Sequence, residues 1–271
     1  MRVPPVVLSI AGYDPSSGAG VTADIKTAAS LGCYAVTCIT ALTVQSTQGV
    51  FGVQALEPEL VGRTLEALAD DVEIAAVRLG MLGSGAVAAA VAGFLDSRRL
   101  LNVVLDPVIR SSSGAELLDD IGLEVLRAMV PLCDVMTPNV DEAVALLGAE
   151  PIAGGARWDA TLRGLREMAA GLHDLGAGAV VITGGHLPSA NDYMSCKAAS
   201  GERHGEIIEG ERIETRATHG TGCAFATALA CRLALGDRLP EAVRGAKDYV
   251  RRAMLSAYPL GKGIGPVNHF G

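Results

Sequence analysis

Short apolar runs rich in valine and isoleucine alternate along this chain with longer stretches in which apolar positions recur at helical spacing. The runs VVLSIAG (6–12), YAVTCITAL (34–42), AAVRLG (75–80), NVVLDP (102–107), DVMTPN (134–139) and AVVITGG (179–185) read as buried β-strands. Between them, AGVTADIKTAASLG (19–32), PELVGRTLEALADD (58–71), SGAVAAAVAGFLDSRR (84–99) and WDATLRGLREMAAGLHDLG (158–176) read as helices with one apolar face. Strand and helix in alternation is the signature of βαβ units, which predicts an α/β fold: a three-layer α/β/α sandwich on a mostly parallel central sheet. From about residue 192 to 216 the pattern changes to short polar strands with Gly201 and Gly205, which predicts a hairpin excursion before the last helices. No repeat, low-complexity tract or linker divides the sequence, so residues 1–271 are read as one domain.

Composition narrows the function. The 271 residues are 49% hydrophobic but only 4% aromatic, so Ala, Val, Leu and Gly must carry the core. A formal charge of -8 with scattered Lys and Arg excludes a nucleic-acid surface, which needs clustered basic residues. An acidic chain can still bind anions through local backbone amides, and that points to a small-molecule site. Cys33, Cys38, Cys133, Cys196, Cys223 and Cys231 form no CxxC pair and no Cys/His cluster, so neither zinc nor a disulfide framework is expected. Free thiols imply a reducing compartment. The opening MRVPPVVLSIAG is too short and too poorly flanked for a leader, and no apolar segment approaches the length of a membrane span. The expectation is a cytoplasmic protein with no membrane partner.

Several predicted strands end in residues a buried strand does not need: Asp14, Asp106-Pro107, Thr137-Pro138-Asn139 and Gly184-Gly185-His186. Ligands of open parallel sheets sit beyond the carboxyl ends of the strands, so these tips are expected to share one cleft. Gly18-Ala19-Gly20-Val21-Thr22-Ala23 formally matches a dinucleotide fingerprint, but no acid follows the second strand to hold a ribose, and the Walker pattern is absent. HGTGC (219–223) offers another device for phosphate: Gly220 and Gly222 let backbone N–H groups turn inward, Thr221 adds a hydroxyl, and the next helix points its positive end at the same spot. In TPNVDEA, Asn139 and Glu142 stand one helical turn apart, placed either to hold Mg2+ through water or to cap a helix. Asp106 is either a carboxylate for a metal or a turn residue before proline. Phosphoryl transfer needs these parts together: amides for developing charge, carboxylates for a metal, and a base near the acceptor.

IAGYDPSSGAGVTADIKTAASLG, ITALTVQSTQGV, RLGML, LDPVI, TPNVDEA, GGHL and THGTGCAFATALA, in this order over residues 6–258, resemble the hydroxymethylpyrimidine/phosphomethylpyrimidine kinases of thiamin synthesis, in the ribokinase-like superfamily. The resemblance implies ATP, Mg2+, two successive phosphorylations of 4-amino-5-hydroxymethyl-2-methylpyrimidine, and a homodimer. It makes Cys223 the base at the end of the anion hole formed by Gly220, Thr221 and Gly222, with a thiol pKa lowered at the helix N-terminus while Cys196 and Cys231 stay ordinary. It places Gln45 against the aminopyrimidine edge and Met81 against the ring face, with Gly12, Ala19, Asp24 and Val44 completing the acceptor pocket. Asp106, Thr137, Asn139, Thr183, Gly185 and His186 fall to the nucleotide, and Asp106 and Glu142 to the metal. Relatives commonly carry lysine where this chain has Thr183, which implies weaker help for the second, already phosphorylated acceptor. Two other readings compete: a pyridoxal or pyridoxine kinase of the same superfamily, and a catalytically silent pyrimidine-binding protein.

Overall fold

A computed structural model of the chain describes residues 3–111, 114–148, 161–185, 187, 189–198 and 200–271. Among these residues a 9-stranded sheet forms the middle layer, in the order β3-β2-β1-β4-β5-β6-β7-β8-β9. Its strands are β1 (Val6–Tyr13), β2 (Tyr34–Ser46), β3 (Gly49–Ala55), β4 (Ile74–Leu79), β5 (Val103–Leu105), β6 (Val135–Met136), β7 (Ala179–Ile182), β8 (Asp192–Lys197) and β9 (Arg203–Ile208). From β2 through β1, β4, β5 and β6 to β7 the pairing is parallel. Antiparallel strands close both edges, β3 on β2 and β8–β9 on β7.

Alternation along the strands sorts the core into two layers, because successive side chains point to opposite faces. Leu8, Ile10, Val77, Leu79, Leu105 and Ile182 pack under α2 (Pro58–Asp71), α3 (Gly85–Arg98), α4 (Asp120–Met129), α5 (Val140–Leu146) and α6 (Leu162–Asp174). Val7, Ala76, Val104 and Val181 face the other way, under α1 (Gly20–Ser30), α7 (Thr221–Ala234) and α8 (Leu239–Leu255). The three-layer expectation holds. Among the described residues no helix is long and apolar enough to cross a membrane.

The hairpin expected from residue 192 is present as β8 and β9, paired antiparallel, and it extends the sheet because β8 also pairs along β7, Ile182 opposite Tyr193. Polar residues of β8 are buried because each finds a partner, as burial demands. Asp192 pairs with Lys247 at 2.7 Å and accepts the Gly184 N–H, and Ser195 meets His173 Nε2 at 2.9 Å. Another reading needs correction: β3, which periodicity missed. It and the end of β2 form a hairpin with most side chains partly or fully exposed, so no buried run marks it. The helix expected over 158–176 begins at Leu162 in the described residues, and 158–160 lie outside them.

Candidate active site

The carboxyl ends of β1, β4, β5, β6 and β7 open on one cleft of about 2560 Å³, lined by Asp14, Asp106, Thr137, Asn139, Glu142, Thr183 and the start of α7. Ligand pockets for one small molecule run to about 1,000 Å³, so this cleft has room for a nucleotide and a second, smaller molecule.

At its centre α7 begins without a side-chain cap. Gly220 occupies the left-handed region (φ 81), and a Cβ there would stand 1.8 Å from the Gly18 carbonyl oxygen, so only glycine lets the two loops meet. The first-turn amides of a 14-residue helix are thereby presented to the cleft, where they can bind an anion. Thr221 spends its hydroxyl on the Thr218 carbonyl at 3.1 Å, but still lines the cleft.

Cys223 follows on the same turn, partly exposed to the cleft. Its thiol is not activated as expected. Burial pushes it up to about 11, and the Asp106 and Asp24 carboxylates add to this against the opposing pull of Arg78. The helix end supplies only a partial charge, too little to offset the burial of the thiol. Cys196 is raised as well, by burial and Glu206, and Cys231 is raised by its hydrogen bond with Cys33 and by burial, so neither is the ordinary thiol expected.

Beneath Cys223 lies a charged residue the sequence reading passed over. Arg78 in β4 has no exposed surface, donates to Asp106 Oδ2 at 2.7 Å, and lies 3.3 Å from Asp24 Oδ2. Although burial opposes its charge, Asp24, Cys223 and Asp106 hold the guanidinium above its ordinary value. The signal was present as a lone arginine inside the apolar run AAVRLG. Asp24, expected in the acceptor pocket, is fully buried in α1, where it accepts from Ser9 Oγ and Thr227 Oγ1, each at 2.6 Å. It does not line the cleft but lies against Arg78 beneath it.

On one flank Asn139 caps α5, accepting the Glu142 N–H while Glu142 Oε2 accepts the Asn139 N–H, both at 2.9 Å. The capping reading is therefore realised, yet Glu142 also lines the cleft. Burial, then the nearby Asp106 charge, pushes its carboxyl up to about 8. Burial likewise raises Asp106. A buried carboxylate, Asp106, and a half-buried one, Glu142, whose ionisation Asp106 disfavours, form a donor set suited to a hard divalent cation such as Mg2+. Among the described residues, no group of three or more His, Cys, Asp or Glu converges as a complete cage. The site fits a metal that keeps most of its ligands from water and phosphate.

Thr137, Thr183 and Gly185 line this flank, and His186 lies outside the described residues. Lys247 reaches the same wall from α8, held by Asp192 and the Ala190 carbonyl. Ile207, Phe225, Val250 and Met254 add an apolar wall.

On the other flank stand Gly12, Ala19, Gln45 and Met81. Val44, assigned with them, points away: it is 66% exposed, while Thr43 and Gln45 on either side of it face the cleft. His219, also passed over, lies 2.7 Å from Asp14 Oδ2 and 3.2 Å from the Gln45 amide. Residues 261–266 strap this flank, with Ile264 donating to the Thr47 carbonyl, Gly265 to Arg216, and the His219 N–H donating to Gly265.

A family model described as phosphomethylpyrimidine kinase matches residues 14–268 of this chain. The thiamine biosynthesis bifunctional protein ThiED of Geobacter sulfurreducens is 41% identical over 264 residues, 97% of this chain and 52% of that protein, so this chain spans about half its length. The hydroxymethylpyrimidine/phosphomethylpyrimidine kinase of Streptomyces coelicolor is 40% identical over 267 residues, 98% of this chain and 94% of that protein. Among solved structures, an ADP complex of Bacillus subtilis pyridoxal kinase is similar with a TM-score of 0.85 at 32% identity, covering 98% of this chain and 97% of that one.

Proposed function

This chain belongs to the phosphomethylpyrimidine kinase family, and on that premise we propose that its cleft moves the γ-phosphoryl group of ATP to the hydroxymethyl group of 4-amino-5-hydroxymethyl-2-methylpyrimidine, and then a second one to the monophosphate. The observation that carries the reading is the meeting, in one cleft, of an uncapped helix N-terminus, two carboxylates and a thiol between two differently built flanks.

The division of labour follows from the walls. The apolar surface of Phe225, Val250 and Met254 suits a purine, and Thr137, Asn139, Thr183 and Gly185 suit its sugar and phosphates. Gln45 and Met81 suit a small heteroaromatic ring, the amide for its polar edge and the thioether for its face. Asp106 and Glu142 would hold Mg2+, which, when bound, neutralises phosphate charge. The amides of residues 220–223 take the charge that develops on the transferred group, and Cys223 takes the acceptor's proton. Cys223 can take that proton only as the thiolate, so it must first give up its own, and the fraction able to serve grows as pH rises toward about 11.

The second transfer places an extra phosphate near Thr183, where this chain lacks the lysine of its relatives; Lys247 supplies a cation on the same wall, already paired with Asp192. A cytoplasmic homodimer completes the reading, and the exposed Leu42, Val44 and Phe51 on the β2–β3 hairpin offer apolar surface to a second copy. The likeness to pyridoxal kinase keeps pyridoxal as the comparison acceptor, while the relatives near 40% identity carry the pyrimidine name. Phosphorus NMR of a reaction with ATP and the pyrimidine alcohol tests the proposal: a phosphate monoester followed by a diphosphate supports it, and unchanged ATP overturns it.

A further inference from the structure

We propose that Asp14 and His219 lock the side-chain amide of Gln45 in one orientation, its carbonyl toward His219 and its N–H toward the acceptor, so that His219 is a positioning residue for acceptor recognition. The proposal deepens the kinase reading, and its first test stands apart from that reading.

In the structure Gln45 Nε2 is 3.2 Å from His219 Nε2 and Gln45 Oε1 accepts from Thr43 Oγ1 at 3.1 Å, and the proposed orientation exchanges these two ends. The two orientations of an amide fill the same outline and differ only in which end donates. Asp14 decides between them. Its carboxylate already accepts the Ser16 N–H and hydroxyl, the Gly18 N–H and the Ala19 N–H, at 2.7 to 3.2 Å. Although burial opposes ionisation, the hydrogen bonds from His219 and Ser16 hold its pKa below the ordinary carboxylate value. An ionised carboxylate only accepts, so the atom 2.7 Å from Oδ2, His219 Nε2, carries a hydrogen whether the ring is neutral or charged.

The Gln45 amide stands 3.2 Å from the same nitrogen. An amide nitrogen turned toward that N–H would set donor against donor, whereas the carbonyl accepts its hydrogen. The NH2 group then faces Thr43 Oγ1, whose single hydrogen, given to the Tyr13 carbonyl at 3.0 Å rather than to the Gln45 oxygen at 3.1 Å, leaves a lone pair to accept. In this arrangement each group from Asp14 to Tyr13 faces a complementary partner, with the one Nε2 hydrogen shared between Asp14 at 2.7 Å and the amide end at 3.2 Å. One amide N–H is left over at the cleft wall, so an acceptor must bring a lone pair there, as a pyrimidine ring nitrogen does.

A neighbouring glycine supports the same geometry. A Cβ on Gly18 would stand 2.3 Å from His219 Cδ2, so glycine at this position is what lets the ring lie against Asp14.

The direct test is long-range proton–nitrogen NMR of the ligand-free protein, with the His219 signals assigned by its loss in His219→Gln. The expected result is a hydrogen on Nε2; a neutral ring with its hydrogen on Nδ1 overturns the proposal, whatever the enzyme does. The kinetic test uses the pyrimidine alcohol as acceptor. His219→Leu should raise the acceptor KM about tenfold while leaving the ATP KM unchanged, since one buried hydrogen bond is lost on the acceptor side only. His219→Gln, which returns an N–H near the Nε2 position, should recover most of that loss, and Gly18→Ala should act in the direction of His219→Leu. An unchanged acceptor KM in His219→Leu, or no recovery in His219→Gln, overturns the positioning role.

Discussion

The guanidinium of Arg78 donates to Asp106 at 2.7 Å from a position with no exposure to solvent, directly under the cleft. With Asp24 on its other side, it is the one cation for two buried carboxylates within this cluster. Removing one partner of a buried ion pair typically costs about 3–5 kcal/mol, because the charge left behind is uncompensated. Arg78→Met should lose stability in that range by urea denaturation, and Arg78→Lys clearly less. Gly80→Ala is the companion variant: its Cβ would stand 1.8 Å from Arg78 Nη1, which forces the guanidinium to move. A loss below about 1 kcal/mol in Arg78→Met would mean that Asp24 and Asp106 are neutral in the folded chain.

Glu142 makes stability depend on pH in an unusual direction for a carboxyl. Its folded value of about 8 lies above the ordinary 4.5, so folding favours the protonated form. The contribution is full below 4.5 and is lost as pH rises through about 8. Thermal melts should therefore fall in Tm between pH 5 and 8, and Glu142→Gln, which keeps the helix cap, should flatten that fall. Added Mg2+ should raise the wild-type Tm at pH 8 and leave the variant nearly unmoved.

For Cys223, a thiol pushed up to about 11 predicts slow alkylation at neutral pH that accelerates steadily with alkali. If the thiolate is the base, kcat should climb over the same range, and Cys223→Ser should lower it by about 10²–10⁴ and remove the climb. A pH-independent kcat in the wild type would assign the catalysis to the helix amides and leave Cys223 a packing residue.

Thr183→Lys should raise the rate with the monophosphate more than the rate with the alcohol, since only the former brings a phosphate to that wall. Equal effects on both would indicate that Lys247, freed from Asp192 on binding, already serves the second phosphate.

The layered sheet was legible because its parallel strands are buried on both faces and read as apolar runs. β3 was not, being mostly unburied, and for β8 the strand was legible but not its burial in the sheet, because its polar residues find partners, Lys247 and His173, far away in the chain. In the site, HGTGC and TPNVDEA carried local geometry, a helix start and a capping box, that short-range spacing can encode. Asp24 was misplaced because its partners come from β1, β4 and α7, and no spacing within α1 announces an arginine 54 positions away (78 − 24). The thiol of Cys223 was misjudged for the same reason. A helix N-terminus is visible in sequence, but the burial that raises the thiol, and the charges beside it, are set by the fold.

Whether this cleft seats ATP on one flank and an aminopyrimidine alcohol on the other is tested most directly by coupled ADP release. Initial rates would be compared with hydroxymethylpyrimidine, its monophosphate and pyridoxine as acceptors at equal concentration. The expected order is the alcohol first, the monophosphate second and pyridoxine last. No release with the alcohol beside brisk release with pyridoxine would contradict the assignment.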